Sequence, residues 1–274
     1  MKFFKKTIVL CLLFFITGTF ASAETYSNQA IHWGIPRAKD EIPPDAGQTW
    51  NKILEKHGAF YKGDPNKKEI YLTFDNGYEN GYTDKILDVL KKEKVPATFF
   101  VTGHYLDSAP DLVERMAKEG HIIGNHSWSH PDLTQVSDEK VVEELEKVRK
   151  KTEEITGNKE MKYLRPPRGV FSERTMDLAK KHGYTHAFWS LAYVDWYTNQ
   201  QKGAQYAYDN IMGRIHPGAI ILLHTVSKDN ADALEDVIKD LKKNGYKFKS
   251  LDDLQVGEQS DKDPILERLF NKEG

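Results

Sequence analysis

The residues 73–80, which read TFDNGYEN, follow a short apolar run at residues 70–72 that is typical of a β-strand. The Asn-Gly pair in this stretch favours a hairpin turn, but no alternating strand follows, and residues 82–90 have the periodicity of a helix. Where strands and helices alternate, an acid at the carboxyl end of a strand, here Asp75, lies where α/β barrels carry catalytic groups. By itself the stretch fits a plain turn as well as a site.

Strand and helix patterns alternate from residue 69 onward. Apolar, β-branched runs predict strands, and apolar positions three and four residues apart predict helices. We therefore predict an α/β fold, a distorted (β/α) barrel of about seven parallel strands covered by helices. The predicted strands are residues 70–74, 97–101, 121–124, 162–164, 186–189, 219–223 and 246–248, and the predicted helices are residues 49–57, 83–92, 112–118, 138–156, 173–182, 206–215 and 232–243.

The two ends of the 274-residue chain differ from its centre. Three lysines, an apolar run and Ala-Ser-Ala at 21–23 predict a cleaved signal peptide at residues 1–23; the alternative is an uncleaved anchor, for which the run is short. The only cysteine, Cys11, lies in this segment, so the exported chain would fold without disulfides. We predict an N-terminal extension at residues 24–67, the main domain at residues 68–254, and a charged surface tail at residues 255–274.

Polar side chains recur directly after the predicted strands. His126 and His130 are spaced as zinc ligands can be, although such pairs also arise by chance. Arg165 precedes two prolines that restrict its backbone, and its guanidinium can bind a carboxylate, although surface arginines are usually solvated. Asp195 and His224 follow two later strands, and a lone His224 would more often be a core histidine. Because all of these residues fall at one edge of a parallel sheet, we expect them to form one site with the acid of the first strand.

Five motifs in this order resemble the polysaccharide deacetylases of the NodB-homology type, carbohydrate esterase family 4. They are TFD at 73–75, His-x-x-x-His at 126–130, RPP at 165–167, DW at 195–196 and LLH at 222–224. The resemblance covers residues 68–253 and implies a distorted barrel and metal-assisted amide hydrolysis. The form FDNGYEN, with the N-terminal extension, looks like the branch of spore-forming bacilli that deacetylates N-acetylmuramic acid in peptidoglycan. That reaction leads to muramic δ-lactam in the spore cortex, so we expect an exported protein of the cell wall or spore envelope.

The resemblance also implies a role for each residue. A divalent metal, which we expect to be zinc, would be held by His126, His130 and Asn76 and would polarise the acetyl carbonyl. Asp75 would be the general base, kept ionised by Arg165. His224 would be the general acid, and Asp195 would orient it. Trp196 and Leu222 would form walls of the acetyl pocket. A backbone N–H near Tyr163 or Tyr78 would bind the oxyanion.

Two positions carry expectations of their own. The family usually has a second aspartate as a metal ligand where this chain has Asn76, so we expect weaker metal binding from a neutral ligand. Arg168 is the candidate for specificity, because it could bind the free lactyl carboxylate that distinguishes muramic acid from glucosamine.

Three alternatives to a muramic acid deacetylase stay open. The first is a deacetylase of chitin oligomers, N-acetylglucosamine or xylan, with the same fold and chemistry. The second is a glycan-binding homologue that lost catalysis through Asn76, and the third is a structural wall protein. The formal net charge of −2 argues against binding to nucleic acid. We expect a monomer, without stable membrane insertion once the signal peptide is removed.

Overall fold

The computed structural model describes residues 26–254, so the predicted signal peptide at 1–23 and the predicted tail at 255–274 lie outside the described residues. The strands are β1 (Ile31–His32), β2 (Glu69–Asn76), β3 (Ala97–Val101), β4 (Ile122–Asn125), β5 (Tyr163–Leu164), β6 (Val170–Phe171), β7 (Thr185–His186), β8 (Ala219–His224) and β9 (Lys247–Phe248). The α-helices are α1 (Gln48–His57), α2 (Thr83–Glu93), α3 (Gly103–Ser108), α4 (Pro110–Lys118), α5 (Asp138–Thr156), α6 (Glu173–Lys181), α7 (Ala204–Met212) and α8 (Lys228–Lys243).

Seven parallel strands form the central sheet, in the order β7-β5-β4-β3-β2-β8, with β9 beside the start of β2. The sheet closes on itself beyond β7, because Leu191 N–H and carbonyl groups exchange hydrogen bonds with β8, forming a bridge from Leu191 to Ile221. The predicted α/β barrel of parallel strands is therefore confirmed. Because parallel strands all end at the same edge, the polar residues at the carboxyl ends of β2, β4, β5 and β8 meet there.

Side chains alternate between two cores along each strand. Leu72 and Phe74 of β2 lie in the large core under the helices, whereas Tyr71 lies in the smaller core inside the barrel, with Phe100 and Ile220. Asp75 has the same parity as Tyr71, so its carboxylate lies on the inner side, at the mouth of the barrel. The alternation that makes β2 a buried strand thus also places its acid.

The N-terminal extension forms part of the barrel wall. Phe60 pairs with Ala187 after β7, and Lys62 pairs with Ala219 at the start of β8. Further upstream, β1 pairs antiparallel with β6. Trp33 fills the space between, in a third core cluster with Phe188.

Several boundaries differ from the sequence-based predictions. Helix α8 begins at Lys228 instead of residue 232, because the Ser227 hydroxyl caps it by accepting a hydrogen bond from the Asn230 N–H. Strand β7 is shorter than predicted, because the residues after it turn to pair with the extension and with β8. Helix α3 was not predicted; it has only six residues and is capped by Thr102. Among residues 26–254, no helix has the length and apolar character needed to cross a membrane.

Candidate active site

A buried ion pair lies at the mouth of the barrel. Arg165, wholly buried after β5, donates a hydrogen bond of 2.8 Å from Nη1 to Oδ1 of Asp75. The same guanidinium donates to the carbonyls of Ala187 and Phe188, and its central carbon lies 4.2 Å from the ring centroid of Phe100. Burial alone would raise the pKa of Asp75, but the charges of Arg165 and the nearby histidines outweigh it and lower that pKa. Asp75 is therefore held as a carboxylate.

Two imidazoles face each other beside this carboxylate. Nδ1 of His126 lies 2.8 Å from the carbonyl oxygen of Arg165, so Nδ1 carries the proton and Nε2 carries the lone pair. That Nε2 lies 3.5 Å from Oδ2 of Asp75 and 3.2 Å from Nε2 of His130. Burial lowers the pKa of His126, and burial together with the charge of His126 lowers the pKa of His130 to about 4. Both rings are neutral near pH 7 and can act as ligands.

A second carboxylate–imidazole pair ends the neighbouring strand. Oδ1 of Asp195 lies 2.7 Å from Nδ1 of His224, and Oδ2 accepts the backbone N–H of His224 at 2.8 Å. Asn230 donates to the same Oδ2 at 2.5 Å and accepts from the hydroxyl of Tyr193. Burial would lower the pKa of His224, but the charge of Asp195 outweighs it and raises that pKa. The pair therefore favours a protonated imidazole.

The β2–β8 register brings the two groups together. Asp75 pairs directly with His224 across this ladder, so their side chains lie on the same face of neighbouring strands, about 5 Å apart at the backbone. A carboxylate suited to accept a proton thus lies beside an imidazolium suited to donate one.

Asn76 is wholly buried next to this pair. Its amide nitrogen donates to the Thr225 hydroxyl at 2.9 Å, while Oδ1 has no hydrogen-bond partner among the described residues. Residues 26–254 contain no group of three or more His, Cys, Asp or Glu side chains arranged to hold a metal. The facing imidazoles of His126 and His130 are potential metal donors, and the unpaired amide oxygen of Asn76 is the candidate for a third.

The predicted substrate contacts surround the mouth. Trp196 is 43% exposed, and its ring centroid lies 5.5 Å from that of His224. Leu222 has the parity of His224 and lies one layer deeper in the barrel, where it is buried. Arg168 is exposed, with a left-handed backbone at φ 57°, and has no hydrogen bond or ion pair within residues 26–254. Its charge contributes to the lowered pKa of His130.

The structure does not bring the side chain of Tyr163 to the site. This residue precedes Arg165 by two positions, so its ring lies one layer deeper, 6.0 Å from the ring of Phe60. Its hydroxyl donates to Asp252 at 2.7 Å. Tyr78, the other residue predicted to offer a backbone N–H, lies in the loop directly after β2 and is 44% exposed.

Sequence reasoning missed two structural features that support the site, one formed by Tyr193 with Asn230 and the other by Gly124. Tyr193 and Asn230 hold the far side of Asp195, and the only signal for them is their position near a strand end and a helix cap. Gly124 of β4 was also missed: a Cβ there would lie 2.5 Å from the ring of Phe100. Neither feature follows from spacing along the chain.

Comparison with known proteins agrees with this geometry. The sequence profile of the family described as Polysaccharide deacetylase matches residues 62–187. The peptidoglycan-N-acetylmuramic acid deacetylase PdaA of Bacillus subtilis is 55% identical over 246 residues, 90% of this chain and 94% of that protein. Its structure, a family 4 carbohydrate esterase, superposes with a TM-score of 0.83 at 56% identity, covering 85% of this chain and 99% of that one.

Two more distant relatives differ in their described activity. A peptidoglycan-N-acetylglucosamine deacetylase of Bacillus cereus is 35% identical over 82% of this chain and 83% of that protein. The structure of a family 4 pseudoenzyme from Bacillus anthracis has 30% identity and a TM-score of 0.66, covering 72% of this chain and 68% of that one. By its identity to these proteins over most of its length, the chain belongs to the polysaccharide deacetylase family, hydrolases that cleave amide bonds.

Proposed function

We propose that the protein removes the acetyl group from N-acetylmuramic acid in the glycan strands of peptidoglycan. The observation that carries this proposal is the pairing of Asp75 with His224 on neighbouring strands, each with its own buried partner. Amide hydrolysis needs one group that takes a proton from water and another that gives a proton to the departing amine. A binding protein has no use for this arrangement.

Members of the family generally depend on a metal. The donors fit a divalent cation, for which we propose zinc: two neutral imidazoles with facing Nε2 atoms and the unpaired Oδ1 of Asn76. When bound, such a cation supplies a Lewis acid that polarises the acetyl carbonyl. Because Asn76 is neutral where the family usually has aspartate, we propose that this cation binds weakly.

The remaining chemistry belongs to the side chains. Oδ2 of Asp75, the oxygen that Arg165 does not bond, takes the proton of the attacking water. Nε2 of His224 carries the proton that passes to the amine nitrogen as the C–N bond breaks, while Asp195 holds the ring by Nδ1. We assign the oxyanion contact to the backbone N–H of Tyr78. Trp196 and Leu222 line the acetyl pocket and exclude water from it.

Substrate choice rests on Arg168 and on the relatives. The chain is more similar to a muramic acid deacetylase than to a glucosamine deacetylase, at 55% against 35% identity. Arg168 is exposed in the segment that follows β5 and has no partner among the described residues, so its guanidinium is available to bind the lactyl carboxylate. Deacetylation would free an amine next to that lactyl group, which is the chemistry that muramic δ-lactam in a spore cortex requires. We propose accordingly an exported, monomeric enzyme with a cleaved signal peptide that acts in the cell wall or spore envelope.

The test is acetate release from two substrates with and without added zinc. One is peptidoglycan glycan stripped of its peptide stems, and the other is chitin oligomers, with the modified sugar identified by mass. Acetate from muramic acid alone is the expected result. Acetate from chitin oligomers would reassign the substrate to N-acetylglucosamine, and binding without acetate release under any metal would make the protein a glycan-binding homologue.

Replacing Arg168 separates the two sugars. We expect Arg168→Ala to lower kcat/KM on muramic acid glycan about tenfold or more, since a bidentate charged contact is lost, and to leave activity on glucosamine glycan unchanged. Arg37→Ala is the matched control, because Arg37 is an exposed arginine of the N-terminal extension. Equal loss on both sugars, or no loss on muramic acid, would remove Arg168 from substrate recognition.

A further inference from the structure

The loop that carries the two histidines has an unfavourable backbone. Ser127 and His130 both have a positive backbone φ, at 61° and 56°, which residues other than glycine rarely adopt. Such a conformation persists only where surrounding contacts fix it. Contacts from within or near the loop fix part of it: Oδ1 of Asn125 accepts from the N–H of Ser127, and Oγ of Ser127 accepts from the N–H of His130.

A buried glutamate from another element holds the residue between them. Glu144 of α5 is wholly buried and accepts two hydrogen bonds from Ser129, one from the backbone N–H at 2.6 Å and one from Oγ at 2.8 Å. Its ion-pair partner within the described residues is Lys140, whose Nζ lies 3.2 Å away and whose side chain is 41% exposed. Both carboxylate oxygens thus point at the residue that directly precedes His130.

The position of Glu144 on its helix is unusual. It lies on the same face as Val141 and Val148, which are wholly buried against the core. A carboxylate on such a face is costly unless it is hydrogen-bonded, and a hydrophobic residue would serve packing better. The hydrogen bonds of Glu144 go to Ser129, in the loop that carries His126 and His130, so Glu144 stabilises the conformation of that loop.

We propose that Glu144 is a positioning residue that fixes the Ser129–His130 backbone so that Nε2 of His130 faces Nε2 of His126. The proposal rests on the role of these histidines as metal ligands in the proposed function. By this proposal, helix α5, which lies outside the mouth of the barrel, holds the more exposed imidazole, that of His130, in place. His126 needs no such support, because its Nδ1 is already bonded to the carbonyl of Arg165.

The test uses Glu144→Leu, which removes both acceptors and keeps a helix-forming residue in the buried position. Two quantities are measured on the purified full protein: zinc affinity by competition with a chelator, and hydrogen exchange of the loop amides without metal. We expect Glu144→Leu to weaken zinc about tenfold or more, as outer-shell changes do, and to speed exchange at Ser129 and His130. Glu144→Gln keeps one acceptor and gains one donor, so it should stay within about threefold of the unchanged protein.

The matched control is Glu143→Leu, since Glu143 is the adjacent glutamate and contacts Lys140 and Lys147 instead of the loop. A folded Glu144→Leu protein with unchanged zinc affinity and unchanged loop exchange would overturn the proposal. A Glu144→Leu protein that is less stable but unchanged in both of these quantities would overturn it as well. If Glu144→Leu does not fold, Ser129→Ala replaces it, and unchanged affinity and exchange there are equally decisive against it. If the unaltered protein binds no zinc, the metal in the proposed function fails, and the exchange comparison still decides the role of Glu144.

Discussion

Single residues at this site act through their immediate partners. Asp75 and Arg165 are both buried, and each makes the charge of the other tolerable; removing one side leaves the other unpaired, which typically costs about 3–5 kcal/mol. Asp195 likewise stabilises the charged form of His224. Asn76 differs from Asp75 and Asp195 because its side chain is neutral. These local pairings decide which protonation states exist at neutral pH.

The Asp195–His224 pair gives a pH prediction. Asp195 raises the pKa of His224, so the pair stabilises the fold below the ordinary histidine value of about 6.5, and that contribution is lost as the pH rises through the raised value. Asp195→Asn should lower this pKa, move the alkaline limb of kcat/KM to lower pH, and reduce kcat. The measurement is a pH profile of activity together with an NMR titration of the His224 ring.

Asp88→Asn is the control for that profile, because Asp88 is a surface carboxylate paired with Arg115. An alkaline limb that stays in place in Asp195→Asn, with the His224 ring titrating as before, would contradict the assignment of His224 as the proton donor.

Asn76→Asp gives a prediction with opposite signs for two measurements. A carboxylate at this wholly buried position would lose its hydration, so the metal-free protein should lose about 1–3 kcal/mol of unfolding free energy. With zinc present, the added negative charge should strengthen binding about tenfold or more. Thermal unfolding with chelator and with zinc checks both. Tight stoichiometric zinc in the unaltered protein that survives mild chelation would contradict the expected weakness of the Asn76 site.

Secondary-structure elements position the site through their packing. Strand β3 presents Phe100 to the guanidinium of Arg165, and β4 presents Gly124 opposite Phe100 in the ladder. Because Gly124 has no side chain, the Phe100 ring can occupy the space beside it, under the Arg165 guanidinium that bonds Asp75.

Gly124→Ala should disturb that stack. The added Cβ would meet the Phe100 ring at 2.5 Å, so the ring must shift, at about 1–3 kcal/mol of unfolding free energy and with loss of activity as Arg165 moves. Denaturant unfolding and acetate release measure the two effects. Gly34→Ala is the control, since no atom lies within 4 Å of a Cβ there. A Gly124→Ala enzyme of full stability and activity would refute this account.

The whole molecule depends on the extension that precedes the barrel. Its residues 60–62 pair with both edges of the sheet, and Trp33 ties it to the loop that bears the two arginines. The N–H of Trp33 donates to the carbonyl of Gly169 at 2.9 Å, and its indole Nε1 donates to the carbonyl of Trp189 at 3.0 Å. The site is therefore supported by chain that lies far from it in sequence.

Trp33→Ala should cost about 3–5 kcal/mol of unfolding free energy, because a buried indole and its hydrogen bond are lost. Activity should fall as well, since the loop at residues 165–169 loses its support. Ile42→Ala is the control, as Ile42 is 67% exposed and should change stability by about 0.5 kcal/mol or less. Normal activity in a destabilised Trp33→Ala protein would show that the extension supports the fold but not the site.

The sequence by itself determined the alternation of strands and helices, and with it the place of Asp75, Arg165 and His224 at one edge of the sheet. This follows from local physics: apolar periodicity selects the element, and parallel strands put their carboxyl ends together. The pairs Asp75–Arg165 and Asp195–His224, inferred from resemblance, are contacts in the structure.

Only the tertiary structure decided which side chains complete the site. The side chain of Tyr163 lies one layer deeper than the site, and Asn230, Gly124 and Glu144 support the site from positions with no signal of their own in the sequence. The reason is physical: hydrogen bonds and close contacts between residues distant in sequence depend on register and helix docking, and a shift of one residue along a strand reverses the direction of a side chain.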